Sequence, residues 1–230
     1  EMMLPRLVVA DPELTYSLPP HITARTGLDA LTQLIEAFVS VKANPFTDGL
    51  CREGLARAAR SLNTVYADGN DKAAREDMML ASLFSGLALA NAGLGAVHGF
   101  AAPLGGMFDA PHGIICARLL PIVMDVNIRA LSARSPGLQA LARYGEIARI
   151  LTANPGADAR QGVAWVEETC AAMHIPPLST IGLSEEHIPS LVEKAMRASS
   201  MKGNPIGLTG QELEEIARRS LTPVPARVPR

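Results

Sequence analysis

Aromatic residues are scarce in this sequence of 230 residues, at 4% of the chain, and cysteine occurs only three times. With so few rings, a packed core has to be built from Ala, Leu, Ile, Val and Met, which suits closely packed helices. The three cysteines, Cys51, Cys116 and Cys170, lie far apart and form no Cys-x-x-Cys pair. This usage favours reduced thiols in a cytoplasmic protein.

Strong charge of either sign is also missing, because the net charge is −2 and no basic block occurs. We therefore expect no nucleic-acid partner and no binding to an anionic membrane surface. Residues 78–107 contain no Asp, Glu, Lys or Arg, and this length could cross a bilayer. The stretch nevertheless includes Asn91, His98 and Pro103, which are costly in lipid. We interpret it as a core helix, Met78 to Ala92, the most buried of the chain, followed by a Gly-rich turn.

The remaining pattern predicts an all-α fold, a helical bundle with a single short strand. Leu28, Leu31, Ile35 and Val39 recur at helical spacing, and Thr209 to Glu212 forms a capping box. Leu7 to Ala10 reads as a β-strand without a partner, which implies a sheet outside this sequence. The predicted helices span about 26–41, 47–66, 72–92, 112–131, 135–151, 157–173, 184–198 and from 210 onwards.

Candidate chemistry centres on residues 91–113, which carry six glycines and the two histidines His98 and His112 in the most apolar part of the chain. Buried imidazoles need partners, so these are either hydrogen-bonded core residues or ligands of something bound. Asp29 is a carboxylate on an otherwise apolar helix face, either a helix-start residue or a partner of a cation. One Asp with two His matches an Fe(II) site or an open Zn site by ligand type, and spacing does not choose between them.

Other catalytic motifs are missing. The sequence has no Gly-x-Ser-x-Gly, P-loop or His-Glu-x-x-His, and Gly93-Leu-Gly95 follows a predicted helix rather than a strand. A nucleotide site within this chain is therefore not expected. A metal hydrolase using Asp and two His is a weaker alternative, because no general base is evident beside the ligands.

Two long motifs resemble the iron-containing alcohol dehydrogenase family. The first is Leu18-Pro-Pro-His-Ile-Thr-Ala-Arg-Thr-Gly-Leu-Asp-Ala-Leu-Thr-Gln-Leu-Ile-Glu-Ala-Phe38, followed by Ala43-Asn-Pro-Phe-Thr-Asp48. The second is Gly93-Leu-Gly-Ala-Val-His-Gly-Phe-Ala-Ala-Pro-Leu-Gly105 with Pro111-His-Gly113. The likeness extends to Asn204-Pro205 and covers the C-terminal, helical half of the family.

The resemblance implies four metal ligands, at Asp29, Gln33, His98 and His112, for Fe2+ or Zn2+. Gln33 departs from the family, which usually has histidine there, and amide oxygen is a weaker donor than imidazole for borderline metals. Ala102 is a second departure, since many members carry another histidine at that position, near the nicotinamide and the substrate. The catalytic and cofactor-binding residues are left unassigned.

The resemblance also implies a division of the chain and a function. Residues 1–14 would end a nucleotide-binding α/β half, residues 15–221 would form the helical metal-binding domain, and residues 222–230 would be a flexible tail. The implied activity is an oxidoreductase that transfers hydride between a small alcohol or carbonyl substrate and NAD(P) held by the N-terminal half. We expect a homo-oligomer such as a dimer, and no activity from this half alone. The alternative is a non-catalytic helical module whose metal site has decayed.

Overall fold

The computed structural model describes residues 7–223, which contain nine α-helices and several short 3₁₀ turns. The first five α-helices are α1 (Pro20–Val39), α2 (Pro45–Ala67), α3 (Lys72–Ala92), α4 (Ala96–Met107) and α5 (His112–Arg134). The others are α6 (Gln139–Thr152), α7 (Ala159–Ala172), α8 (Ile188–Arg197) and α9 (Gly210–Ser220). The all-α prediction is confirmed for this part of the chain.

The predicted strand at Leu7 to Ala10 is wrong for the described residues. These four residues have no regular secondary structure, and Leu7 and Val9 are 81% and 79% exposed. A β-branched apolar run becomes a strand only when a neighbouring strand accepts its backbone hydrogen bonds, and residues 7–223 contain no such neighbour. The flexible tail was predicted for residues 222–230, of which 224–230 lie outside the described residues.

Helix α1 organises the packing, since it contacts α2, α3, α5 and α6. It begins at Pro20, earlier than predicted, because proline is well tolerated in the first turn of a helix. Helix α2 begins two residues earlier than predicted, because Asn44 caps it and Pro45 lies in its first turn. Helix α5 contacts α1 directly, α4 packs against α5 and α8, and α7 and α9 pack against α5.

The most buried helix was predicted wrongly as Met78 to Ala92. Helix α3 exposes Leu87 and Leu89 at 41% and 37%, whereas α5 buries most of its length. Lack of charge is a poor sign of burial, because apolar side chains are also common on protein surfaces. Among residues 7–223 no single helix is long and apolar enough to cross a membrane, while α3 and α4 pass that test only as a pair bent by 98°.

The predicted Gly-rich turn is also wrong, because most of this segment forms helix α4. Gly93, at φ +67°, ends α3 in a conformation that favours glycine, and α4 starts three residues later. His98 therefore lies in the first turn of α4 and not at the end of the preceding helix.

Candidate metal centre

Three helices bring the candidate side chains together. Asp29, Gln33 and Glu36 share one face of α1, since they are spaced by four and three residues. His112 and Cys116 are spaced by four on α5, and His98 comes from the first turn of α4. The ligating atoms of Asp29, His98, His112 and Cys116 all lie within 4.8 Å of one another. The structure thus gathers three of the four predicted residues, together with a cysteine.

A close approach of α5 to α1 places His112 beside Asp29. A Cβ atom added to Gly113 would lie 2.1 Å from the carbonyl oxygen of Arg25. Only glycine allows the two backbones to come so near. The resulting distance from His112 Nε2 to Asp29 Oδ1 is 3.6 Å.

Helix α4 is held in place by side chains from distant parts of the chain. Its N-cap, Gly95, has no side chain to cap the free N–H groups of the first turn. Glu36 Oε1 accepts from the Val97 N–H at 2.6 Å, and Asn204 Oδ1 accepts from the Ala96 N–H at 3.1 Å. The Glu36 carboxylate also complements the positive end of the helix dipole.

Glu36 orients the His98 ring as well. Its Oε2 lies 2.7 Å from His98 Nδ1, and both residues are buried. A carboxylate at this distance favours the proton on Nδ1, which leaves the Nε2 lone pair free. His98 Nε2 lies 3.5 Å from Asp29 Oδ1. This is the arrangement in which a second carboxylate supports a ligating histidine.

Asp29 Oδ1 is the atom of the cluster that a cation would stabilise most. It is buried, and no residue in 7–223 donates a hydrogen bond to it. A lone pair of His98 facing an unpartnered carboxylate oxygen is repulsive unless a proton or a metal lies between them. Burial raises the pKa of Asp29, but hydrogen bonding and positive charge from His98, and positive charge from His112, bring it below its ordinary value when these rings are protonated. The carboxylate is therefore ionised.

The distances fit a metal ion. Zinc bonds of about 2.0–2.1 Å to nitrogen and oxygen and about 2.3 Å to sulfur put neighbouring ligands of a tetrahedron roughly 3.3–3.6 Å apart. The two imidazole nitrogens lie 3.5 and 3.6 Å from Asp29 Oδ1. The Cys116 sulfur lies 3.7 Å from His98 Nε2 and 3.4 Å from His112 Nε2.

Gln33 is engaged differently from the other three predicted residues. Its amide nitrogen donates to Asp29 Oδ2 at 3.0 Å, and its amide oxygen accepts from the Ser85 hydroxyl at 2.8 Å. Both ends of the amide are therefore hydrogen-bonded, and they hold the Asp29 carboxylate. The end of Gln33 that faces Asp29 is its amide nitrogen, which is a hydrogen-bond donor and cannot ligate a metal.

The cluster opens to solvent on the side of His112, whose side chain is 51% exposed. A surface cavity of about 430 Å³ is lined there by Arg25, Thr26 and Asp29 of α1 and by residues 109–113. His98 and Cys116 lie behind this opening and are buried. A small molecule can therefore approach the cluster from the side of His112.

Cys116 was not predicted as a site residue. The signal was present, because a cysteine four residues after a candidate ligand on a helix shares its face. By contrast, the side chains of the other three histidines, His21, His174 and His187, lie outside the cluster.

The described residues thus form an all-α domain in which one carboxylate and two histidines converge beside an open cavity, a candidate metal centre. The model of the Fe-containing alcohol dehydrogenase family, C-terminal part, matches residues 23–221. The chain therefore belongs to this family and corresponds to its C-terminal helical domain.

Individual relatives agree with the family. Alcohol dehydrogenase 4 of Saccharomyces cerevisiae is 37% identical over 217 residues, which cover 94% of this chain and 55% of that protein. A crystal structure of 1,3-propanediol oxidoreductase superposes with a TM-score of 0.83 at 35% identity, covering 91% of this chain and 54% of that one. A sulfoacetaldehyde reductase of Bifidobacterium kashiwanohense, solved with NAD+, gives a TM-score of 0.78 at 29% identity, covering 92% and 53%. The chain spans about half the length of these relatives.

Proposed function

We propose that this chain is the metal- and substrate-side half of a metal-dependent oxidoreductase, an alcohol dehydrogenase or carbonyl reductase that transfers hydride between an alcohol and NAD(P). The observation that carries the proposal is the buried Asp29 Oδ1, which has no hydrogen-bond donor among residues 7–223 and faces the Nε2 atoms of His98 and His112. Family membership supports it, since relatives are named as alcohol and 1,3-propanediol dehydrogenases.

Asp29, His98 and His112 would hold the ion, Fe2+ or Zn2+, and Gln33 occupies the fourth position that the family resemblance predicts. When bound, a divalent metal supplies Lewis-acid polarisation of the substrate oxygen. The chain's own residues set the geometry. Glu36 fixes the His98 ring, Gln33 fixes the Asp29 carboxylate, and burial of His98 excludes water from the rear of the site.

The cavity beside His112 is the proposed entrance for a small alcohol or carbonyl compound. Arg25 and Asp109 line its walls, and His112 forms part of its floor. Ala102, where the family often has a further histidine, carries no titratable group and is exposed. The substrate proton would therefore leave through water in the open cavity rather than through a side chain at that position.

NAD(P) is proposed to be contributed by an N-terminal nucleotide-binding half, to which residues 1–14 would belong. The NAD+ complex of the reductase from Bifidobacterium kashiwanohense supports a nicotinamide cofactor. Residues 15–221 would form the metal-binding domain beside it. We also propose that the protein is a cytoplasmic homo-oligomer.

A second candidate function is a helical interaction module with a decayed metal site. The Gln33 and Ala102 departures from the family favour it. In that case the convergence of Asp29, His98 and His112 has no use, and replacing Asp29 should not alter any property except stability.

Metal content separates the two candidates. We expect the purified chain, dialysed against Zn2+ or against Fe2+ without oxygen, to retain one equivalent by elemental analysis. Asp29→Ala and His98→Ala should abolish retention. Asp109→Ala is a matched control, since this carboxylate lines the cavity but lies outside the cluster. A folded wild-type chain without stoichiometric metal would favour the decayed module.

Activity is tested in a hybrid in which the chain replaces the equivalent part of the alcohol dehydrogenase from Oenococcus oeni, whose structure has a TM-score of 0.83 with this chain. The expected result is alcohol-dependent reduction of NAD+ or NADP+ that is lost in Asp29→Ala. A folded, metal-loaded hybrid inactive towards a panel of primary alcohols and diols would contradict the oxidoreductase proposal.

A further inference from the structure

We propose that Cys116, and not Gln33, is the fourth protein ligand, so that the site consists of Asp29, His98, His112 and a cysteine thiolate and selects Zn2+ or Co2+. This inference rests on the proposed function only in assuming that a metal binds between Asp29 and the two histidines. It adds a ligand outside the set that the family resemblance implies.

The position of the sulfur is the first argument. Cys116 Sγ lies 3.4 Å from His112 Nε2 and 3.7 Å from His98 Nε2. Adjacent nitrogen and sulfur ligands of tetrahedral zinc are separated by roughly 3.5 Å, given bonds of about 2.0 and 2.3 Å. The two distances straddle that value, so the sulfur is spaced from both imidazole nitrogens as a fourth ligand of tetrahedral zinc would be.

The other two cysteines show what a structural thiol looks like in this fold. Cys170 is fully buried and donates to the carbonyl oxygen of Ala117 at 3.3 Å. Cys51 is fully buried among core side chains. Both behave as small apolar residues. Cys116 instead directs its sulfur at two imidazole nitrogens and a carboxylate.

Gln33 is occupied in holding Asp29, as its two hydrogen bonds show. Gln33 thus supports the Asp29 carboxylate, while Cys116 supplies the fourth donor. A thiolate in place of a neutral amide also changes the charge of the site. Asp29 and a thiolate together balance a divalent ion, whereas one carboxylate with neutral donors leaves it positive.

The donor set has a consequence for the metal. Thiolate with imidazole and one carboxylate in a tetrahedron suits zinc, and it disfavours Mg2+ and Mn2+, which prefer oxygen. The sulfur coordinates as thiolate, and its proton passes to solvent as the metal enters. A substrate oxygen would then bind as a fifth ligand, an expansion that zinc permits.

Cobalt is the probe for this proposal, because Co2+ replaces Zn2+ and reports its ligands by absorption. Titration of the 230-residue chain with CoCl2 should give one equivalent with intense tetrahedral d–d bands and a near-ultraviolet thiolate-to-cobalt charge-transfer band. Cys116→Ala should remove the charge-transfer band and weaken binding by more than about a hundredfold, beyond the range of supporting residues. Cys51→Ala is the matched control and should leave both bands and the affinity unchanged. Gln33→Ala should keep the charge-transfer band.

Each other result has a definite meaning. Binding of one equivalent that depends on Asp29 but gives no charge-transfer band overturns the thiolate ligand and leaves the proposed function standing. A band lost in Gln33→Ala but retained in Cys116→Ala assigns the role to Gln33 and overturns the proposal. Absence of cobalt binding in the folded wild-type chain overturns both. The wild-type spectrum alone shows whether a thiolate ligates, and Cys116→Ser gives a second substitution, so misfolding of one variant does not protect the proposal.

Discussion

Replacement of Glu36 by glutamine tests how the structure prepares His98. The wild-type carboxylate accepts from two donors at once, the Val97 N–H at 2.6 Å and His98 Nδ1 at 2.7 Å. A glutamine amide has one acceptor and one donor group, so it satisfies only one of them. Either the amide nitrogen faces the Val97 N–H, or it faces His98 Nδ1 and drives the ring proton to Nε2.

The second arrangement removes the lone pair that would face the metal, and the first weakens the start of α4. Supporting residues of this type are worth about 10–100-fold in metal affinity, or roughly 1.4–2.8 kcal/mol. We expect Glu36→Gln to weaken Zn2+ binding by that amount, measured by competition with a chromogenic chelator. The fold should persist, since the substitution has the same shape.

Glu146→Gln is the matched control for this experiment. Glu146 pairs with Arg52 on the surface at 2.5 Å, with side chains 30% and 47% exposed. Exposed pairs contribute about 0–1 kcal/mol, so its loss should change neither the fold nor Zn2+ affinity. Wild-type zinc affinity in a folded Glu36→Gln variant would refute the argument that this carboxylate sets the His98 tautomer.

Three further predictions follow from the same geometry. Gly113→Ala should lower the free energy of unfolding by about 1–3 kcal/mol and weaken zinc binding, because the added Cβ would lie 2.1 Å from the Arg25 carbonyl oxygen. Gly105→Ala, which meets no atom within 4 Å, should be neutral or stabilising, and equal effects of the two would contradict the close-approach argument. Adding Gln33→His to the Cys116→Ala variant should restore its zinc affinity, because residue 33 lies on the same face of α1 as Asp29. A zinc titration of the double variant that shows no recovery would rule this out. The chain alone should not bind NAD(P) tightly, because no phosphate-binding loop occurs in its sequence, so micromolar binding by calorimetry would count against the two-half division.

The helical class was predictable because its signals are local. The Thr209 capping box of α9 was predicted from the sequence and is present in the structure. The start of α4 was not predictable in this way. Its first turn is satisfied by Glu36 and Asn204, which are 61 and 108 residues distant from their partners, so no local pattern announces the helix.

The prediction that α3 is the most buried helix failed for a different reason. Its apolar residues lie around the helix rather than along one stripe, so the sequence does not say which side faces solvent. Leu87 and Leu89 are exposed although no charge stands near them in the sequence. The prediction of a strand at Leu7 to Ala10 failed because a strand forms only beside a partner strand, whatever its own residues are.

The candidate site also has a part that was predicted from the sequence and a part that depends on tertiary contacts. Asp29, His98 and His112 were predicted by residue type and by family resemblance, and the structure brings them within 4.8 Å of one another. The role of Cys116 depends on the approach of α5 to α1 at Gly113, a contact between residues distant in sequence. The support that Ser85 gives Gln33 likewise spans 52 residues. Such contacts are set by tertiary packing.

The location of a bound ion is the most direct test of a metal centre in this domain. Crystals of the zinc-loaded chain, measured above and below the zinc absorption edge, would show the ion by anomalous scattering. The structure predicts one peak about 2.0–2.2 Å from Asp29 Oδ1, His98 Nε2 and His112 Nε2, and about 2.3 Å from Cys116 Sγ. Well-ordered side chains at these four positions without a peak between them, or a zinc ion bound elsewhere on the chain, would contradict the metal centre.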